Sequence, residues 1–260
     1  MPCSATGVCV LSIDLFPGSV ATGSNGRARD SAVAEVRQRL AEANLPATWA
    51  LTAGDLVEAS QSPTASPARS EIALIADRAW AGAEANRERF ADALARSLAE
   101  ARRAGCRVTT LVFDESPREL HDDLLVKYGI TAVRQRTAHP ASVSFARSTA
   151  RDAHPGTVGC LRSLRWGLWE LVDTIDAIEL GPRRTLKTLD RVARDGGEIA
   201  IVIDGAKLAG GLKTLARLVD RLNCLRGDGT LVTHTVCDAV VSRMPSRQVP
   251  AARSILRRAA

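Results

Sequence analysis

Short apolar runs alternate with amphipathic segments along this chain, and the alternation predicts strands and helices in turn. Residues 7–15 (GVCVLSIDL) form an apolar run with one acid, Asp14, near its end. A short run bounded by Phe16, Pro17 and Gly18 suits a strand buried on both faces. Residues 45–51 (LPATWAL), 71–76 (EIALIA), 107–114 (RVTTLVFD), 130–135 (ITAVRQ), 164–172 (LRWGLWELV), 198–204 (EIAIVID) and 230–236 (TLVTHTV) read as further strands. Helical periods lie between them. Val33, Val36 and Leu40 share one face of a helix over 30–44, and Phe90, Leu94, Leu98 and Ala101 share one over 87–105, closed by Gly105. Residues 53–60, 120–128, 183–195, 211–225 and 238–244 complete the helices. Residues 19–29 and 61–69 are polar loops, and 139–160, with two His-Pro pairs, reads as one long loop.

Strands alternating with helices argue for a parallel sheet wrapped by helices. About seven or eight strands fit a barrel better than a flavodoxin-like open sheet. In such folds the chemistry sits where parallel strands end. The stretch SIDLFPGSVATG after the first strand carries no glycine-rich phosphate loop, which argues against a nucleotide-binding sheet.

The chain has 260 residues, enough for one sizeable core. It reads as one domain over 1–244 and a basic tail over 245–260. The net charge is +6, and Arg243 at the end of the last helix with Arg247, Arg253, Arg257 and Arg258 beyond it supply much of it. No basic stripe interleaved with aromatics accompanies them, so nucleic acid is not an expected partner. No run approaches the ~20 apolar residues of a membrane span, and the first strand leaves no room for a signal peptide. The six cysteines lack metal spacing, and Cys9 and Cys106 read as small hydrophobes. The expectation is a cytoplasmic protein with reduced thiols and no membrane partner. Nothing in the sequence sets its oligomeric state.

Asp14, Asp77, Asp114, Glu115, Arg134, Glu170, Asp173, Asp204 and Lys207 fall at predicted strand ends, where a barrel gathers them on one rim. Singly, each also suits a loop cap or a surface ion pair. Asp14 and Asp204 are the candidate catalytic carboxylates, because paired acids do acid–base work when their environments separate their pKa values. Asp77, Arg134, Glu170 and Lys207 are candidate substrate-binding residues. Trp166 joins them, since an aromatic face at a barrel mouth stacks on sugars, although core packing is the commoner use of Trp. Of the four histidines, His121 reads as a surface residue of a helix and His234 as a packed strand residue, while His139 and His154 fall in the long loop.

The order of several motifs resembles the polysaccharide deacetylase family, with its NodB-homology fold shared by family 4 carbohydrate esterases. SIDL stands where the family has a Thr-Phe-Asp-Asp strand end. LPATWAL followed by Gly54 resembles its Val-Pro-Ala-Thr-Phe-Phe passage, and EIALIADRAW resembles its Glu-Ile-Gly-x-His-x-x-x-His strand. RVTTLVFDES, LLVKYGITAVR, RSLRWGLWEL, EIAIVIDGAKLAG and LRGDGTLVTHT continue the likeness, so that it runs from Val8 to Val241. The resemblance implies an α/β fold, a distorted (β/α) barrel of about seven strands.

It also implies a chemistry. In the family, one Asp and two His hold a divalent metal, a second Asp is the base, and a His near the C-terminus is the acid. Carried over, the base is Asp14, the metal Asp falls on Leu15, and the metal His fall on Ile75 and Ala79. The family Arg falls near Glu115 and the C-terminal His on Ile203, beside Asp204. Leu, Ile and Ala offer a metal no lone pair. The resemblance therefore implies a hydrolase of amide C–N bonds in N-acetylated carbohydrates whose metal positions are lost, with little or no such activity and no metal or other cofactor. Two other readings stand beside it. One is a non-catalytic carbohydrate-binding or scaffolding protein, and the other a metal-independent enzyme using Asp14 and Asp204. The expected ligand is a carbohydrate or small polar molecule. With the metal gone, Asp14 is expected to be desolvated without a cation, so that Asp14→Asn is neutral or stabilising; if it is still poised as a base, Lys207 or Arg134 is its partner.

Overall fold

The computed structural model describes residues 6–15, 24–56, 70–115, 117, 119–135, 159–172 and 174–244, with side chains from residue 28 onward in the second span. The basic tail, Asp173, His139 and His154 lie outside them. The strands are β1 (Gly7–Asp14), β2 (Ala47–Leu51), β3 (Ser70–Ala76), β4 (Thr110–Phe113), β5 (Ala132–Gln135), β6 (Leu161–Ser163), β7 (Trp169–Leu171), β8 (Thr174–Asp176), β9 (Glu198–Asp204) and β10 (Leu231–His234). The helices are α1 (Ser24–Glu42), α2 (53–56), α3 (Arg78–Ala81), α4 (Arg87–Arg103), α5 (Asp122–Lys127), α6 (Ala177–Leu180), α7 (Pro182–Asp195), α8 (Leu208–Gly227) and α9 (Val236–Arg243). No helix among the described residues is long and apolar enough to cross a membrane.

The strands form one curled sheet in the order β6-β7-β5-β4-β3-β2-β1-β9-β8, parallel except for β6 against β7. This is the expected distorted barrel, with more strands than the pattern predicts. β1 is its centre. One edge of β1 pairs with β9 from Val8↔Glu198 to Asp14↔Asp204. Its other edge is divided: Gly7 to Val10 pair with β10, and Ser12 to Asp14 pair with β2. An eight-residue strand with neighbours on both edges is buried at every position but the half-buried Val8, which is why it reads as a continuous apolar run.

Alternate side chains separate two cores. Leu11, Ile13, Trp49, Leu74, Leu111 and Ile201 face outward and meet the apolar faces of the helices, including Val36, Leu40, Leu94, Leu98, Leu218 and Leu222. Val10, Ala132, Leu171 and Ala200 face inward, where α9 covers them with Val236, Ala239 and Val240. Ala50, Ala73, Ile75 and Val112 form a second inward patch. The buried Cys9 thiol is pushed up from its ordinary value by burial first and by nearby Cys160, consistent with a cysteine used as a small hydrophobe.

Helix α9 is held by carboxylates at both ends. The Val236 N–H donates to Thr48 Oγ1 at 2.9 Å, and the Cys237 N–H donates to Glu71 Oε2 at 2.8 Å. Glu71 also accepts from the Thr48 hydroxyl at 2.8 Å and from the Thr110 hydroxyl. An anion at a helix N-terminus is favoured by the unpaired amides there. At the other end Arg243 pairs with Glu198. Burial pushes the Glu71 carboxyl above its ordinary range, against the pull of Thr110, Cys237 and Thr48.

Candidate functional site

The C-terminal ends of the parallel strands carry the rim. Asp14 and Asp204 end β1 and β9 as in-register partners, so both expected carboxylates stand side by side on one rim. Ser12, Asp14 and Arg134 are wholly or almost wholly buried. From β5 the Arg134 guanidinium reaches Asp14: Nη2 donates to Asp14 Oδ1, and to Ser12 Oγ at 3.4 Å. The Ser12 hydroxyl in turn lies 3.4 Å from the same carboxylate oxygen. Arg134 is 0% exposed, and its Nε and Nη1 are buried without a hydrogen-bond partner among the described residues. Its register neighbours are Val112 and Leu171.

Asp14 is therefore not the unpaired acid that the sequence suggests. Of its two candidate partners, Arg134 is the one that reaches it. Lys207, in the turn after β9, instead donates to Asp176 at 3.1 Å and to Glu179, and lies 3.8 Å from Asp204. Partial burial opposes its charge, but Glu179 and Asp176 lift its pKa above that of an ordinary lysine. Asp204 caps its own turn by accepting from the Ala206 N–H at 2.9 Å. Gly205 allows this turn to press on β1, since a Cβ there would lie 2.5 Å from Asp14 O.

The other expected rim residues disperse. Asp77 is exposed and caps α3 through the Ala79 N–H at 2.7 Å. Glu115 is exposed and pairs with Arg78 at 3.0 Å. Glu170 is in register with outward-facing Val133 and pairs with Arg162, so it turns away from the inner face. Trp166 is 75% exposed, in a 3-10 turn between β6 and β7, at the end where the parallel strands begin. It stands at the opposite end from Asp14. The predicted strand over 164–172 is in fact this turn followed by the three-residue β7, because Gly167 takes φ +79° and breaks the extended run. His121 is also corrected. It is buried, directly before α5, with its ring 5.3 Å from Phe90 in an edge arrangement.

The positions that the resemblance assigns to a metal do not fit one. Leu15 belongs to the outward core, Ile75 to the inward apolar patch, and Ala79 is exposed on α3. None offers a donor atom. No group of three or more potential metal-ligating side chains occurs among the described residues. The Ile203 position of the family acid also faces the outward core. Missing from the sequence reading were Ser12, which joins the Asp14–Arg134 pair, and Asp176 and Glu179, which hold Lys207. Asp176 caps α6, its side chain accepting from the Ile178 N–H at 2.8 Å, and an Asp directly before a short apolar segment is the signal that could have found it.

No family model matches the sequence, and no curated protein matches it. Solved structures do match the fold. The chain is similar to a putative polysaccharide deacetylase from Mycobacterium smegmatis, at 12% identity and TM-score 0.59, over 93% of this chain and 91% of that one. It is similar to a family 4 carbohydrate esterase pseudoenzyme from Bacillus anthracis, at 11% identity and TM-score 0.50, over 91% and 66%. A 4-alpha-glucanotransferase from Thermococcus litoralis matches at 12% identity and TM-score 0.62, over 93% of this chain, which spans only 41% of that enzyme. The fold is the NodB-like (β/α) barrel of the polysaccharide deacetylases.

Proposed function

We propose that this chain is a deacetylase-like protein that does not hydrolyse amides through a metal, and that it binds a carbohydrate or other small polar ligand at the rim. The observation that carries this reading is the Asp14–Arg134 pair. A general base must reach the water it deprotonates, and here Asp14 is 1% exposed with one of its oxygens held by the buried Arg134 guanidinium. The residues at the metal positions, Leu15, Ile75 and Ala79, supply no donor. The similar fold of a pseudoenzyme supports the reading. Asp204, Asp176, Glu179 and Lys207 provide donors and acceptors at the same rim, a set suited to hydroxyl-rich ligands.

The test pairs turnover with binding. Purified protein is assayed on N-acetylated oligosaccharides with and without added zinc, and the same oligosaccharides are titrated by calorimetry. No turnover, with saturable binding weakened by Lys207→Ala, is the expected result. Zinc-dependent release of acetate would overturn the proposal. The register of Asp14 with Asp204 favours a second reading, a metal-independent acid pair. Zinc-independent turnover abolished by both Asp14→Asn and Asp204→Asn would establish it.

A further inference from the structure

At the end of the barrel opposite Asp14, α4 and α5 deliver the chain into β4 and β5. There the described residues enclose a groove of about 510 Å³, within the range of roughly 300–1,000 Å³ common for small-molecule sites. Leu98 and Val108 give it an apolar floor, and Arg102, Arg107, Thr109 and Tyr128 give it polar walls. Tyr128 is the chain's one tyrosine. Arg103 and Lys127, in the last turns of α4 and α5, add two more cations nearby. None of these four cations is held by a carboxylate in an ion pair among the described residues, a state they share with other surface cations such as Arg89, Arg183 and Lys213.

Two helix C-termini meet this groove, and their carbonyls would repel an anion if left open. Two carbonyls at each end are closed by backbone bonds. The Gly105 N–H bonds Arg102 O at 3.0 Å and the Cys106 N–H bonds Ala101 O at 2.8 Å. The Gly129 N–H bonds Val126 O at 3.0 Å and the Ile130 N–H bonds Leu125 O at 2.9 Å. Both closures use a glycine at positive φ, +74° at Gly105 and +82° at Gly129, in the manner of a helix-ending left-handed turn. A Cβ at either glycine would meet nothing within 4 Å, so these turns leave open space beside the groove.

We propose that this groove is a binding site for a phosphorylated ring compound. The forked guanidiniums of Arg102 and Arg107 match phosphate oxygens, Tyr128 offers a ring face, and Leu98 and Val108 accept the apolar side of the ring. The site is independent of the rim and of the function proposed there. A sugar phosphate and a nucleotide share this chemistry, and the test separates them.

Full-length protein is titrated by calorimetry with glucose 6-phosphate, AMP, inorganic phosphate, glucose and adenosine. Saturable binding of glucose 6-phosphate or AMP is expected, with no binding of glucose or adenosine. Arg102→Gln and Arg107→Gln should each weaken it about tenfold, the effect of losing one charge-assisted contact. Tyr128→Ala should weaken the ring phosphates but leave inorganic phosphate unchanged. Arg183→Gln, an exposed cation on α7, should change nothing. A salt titration of the wild-type protein gives a reading that depends on no variant, and affinity should fall as salt rises. Absence of saturable binding by all three phosphates overturns the proposal. So does equal weakening by Arg183→Gln, or binding of glucose and adenosine as tight as that of their phosphates.

Discussion

Arg134 on β5 bonds Asp14 on β1, although three strands lie between them in the sheet. In a flat sheet four strand spacings of about 4.8 Å would separate the two backbones by roughly 19 Å, beyond the reach of one side chain. The contact is a chord across the curl, and it holds two opposite charges out of water. Breaking such a pair from one side leaves a buried charge without a partner, which costs more than the intact pair contributes.

Asp14→Asn and Arg134→Met should therefore each lower stability by about 3–5 kcal/mol in urea unfolding. The double variant should recover most of that loss. This reverses the expectation from sequence, in which Asp14→Asn is neutral or stabilising. If Asp14→Asn leaves the midpoint unchanged, the pair does not hold the curl.

How far the sequence discloses this protein follows from what each signal depends on. β9 was legible residue for residue, because Glu198–Asp204 is β-branched and has a neighbour on each edge. α4 was legible because Phe90, Leu94, Leu98 and Ala101 repeat over about three turns. β6, β7 and β8 have three residues each, too few to show a period, and the antiparallel β6 falls between the loop read over 139–160 and the strand read over 164–172. For the site, the positions of Asp14, Asp204 and Lys207 at the rim were legible as strand ends. The guanidinium partner was legible only as one of two candidates, since the curl that selects Arg134 over Lys207 is a property of the whole sheet. The dispersal of Glu170 and Trp166 was not legible. It depends on one hairpin turn at Arg165–Gly167.

Grafting the family's metal ligands should fail. Leu15→Asp places a carboxylate in the outward core, beside Gly205, where it loses hydration with no partner. The triple variant Leu15→Asp, Ile75→His, Ala79→His is expected to melt well below the wild-type protein and to bind zinc no better in calorimetry. Stoichiometric zinc binding by the triple variant would show that the rim rearranges to admit a cation beside Arg134.

Glu71 gives a pH signature. Its carboxyl titrates above the ordinary 4.5 because of burial, so the folded state holds its proton more tightly than the unfolded chain does. The contribution of that proton to stability is complete below pH 4.5 and is lost as pH rises through the raised value. Glu71→Gln removes this titration. The stability difference between wild type and Glu71→Gln should be constant in acid, then move in favour of the variant as pH rises. A difference independent of pH from 4 to 8, by denaturant titration, would contradict the assignment.

Trp166 has φ +63°, a region that disfavours side chains, and buries little surface in exchange. Trp166→Gly should raise the melting temperature slightly, by relief of about 1 kcal/mol of strain. Ligand binding at the rim should be unchanged, because the turn lies at the other end of the strands. Loss of rim binding in this variant would place the ligand at the hairpin instead.

The divided edge of β1 has a consequence for how the protein is made. During synthesis β1 waits for residues 198–204 on one edge, and for residues 231–234 on half of the other. Its inward side waits longer, for the helix over Val236–Arg243. Contacts so distant in sequence slow folding and leave apolar edges exposed meanwhile. Fragments that stop before residue 236 should need chaperones or aggregate, and the barrel should appear late and all at once rather than grow strand by strand.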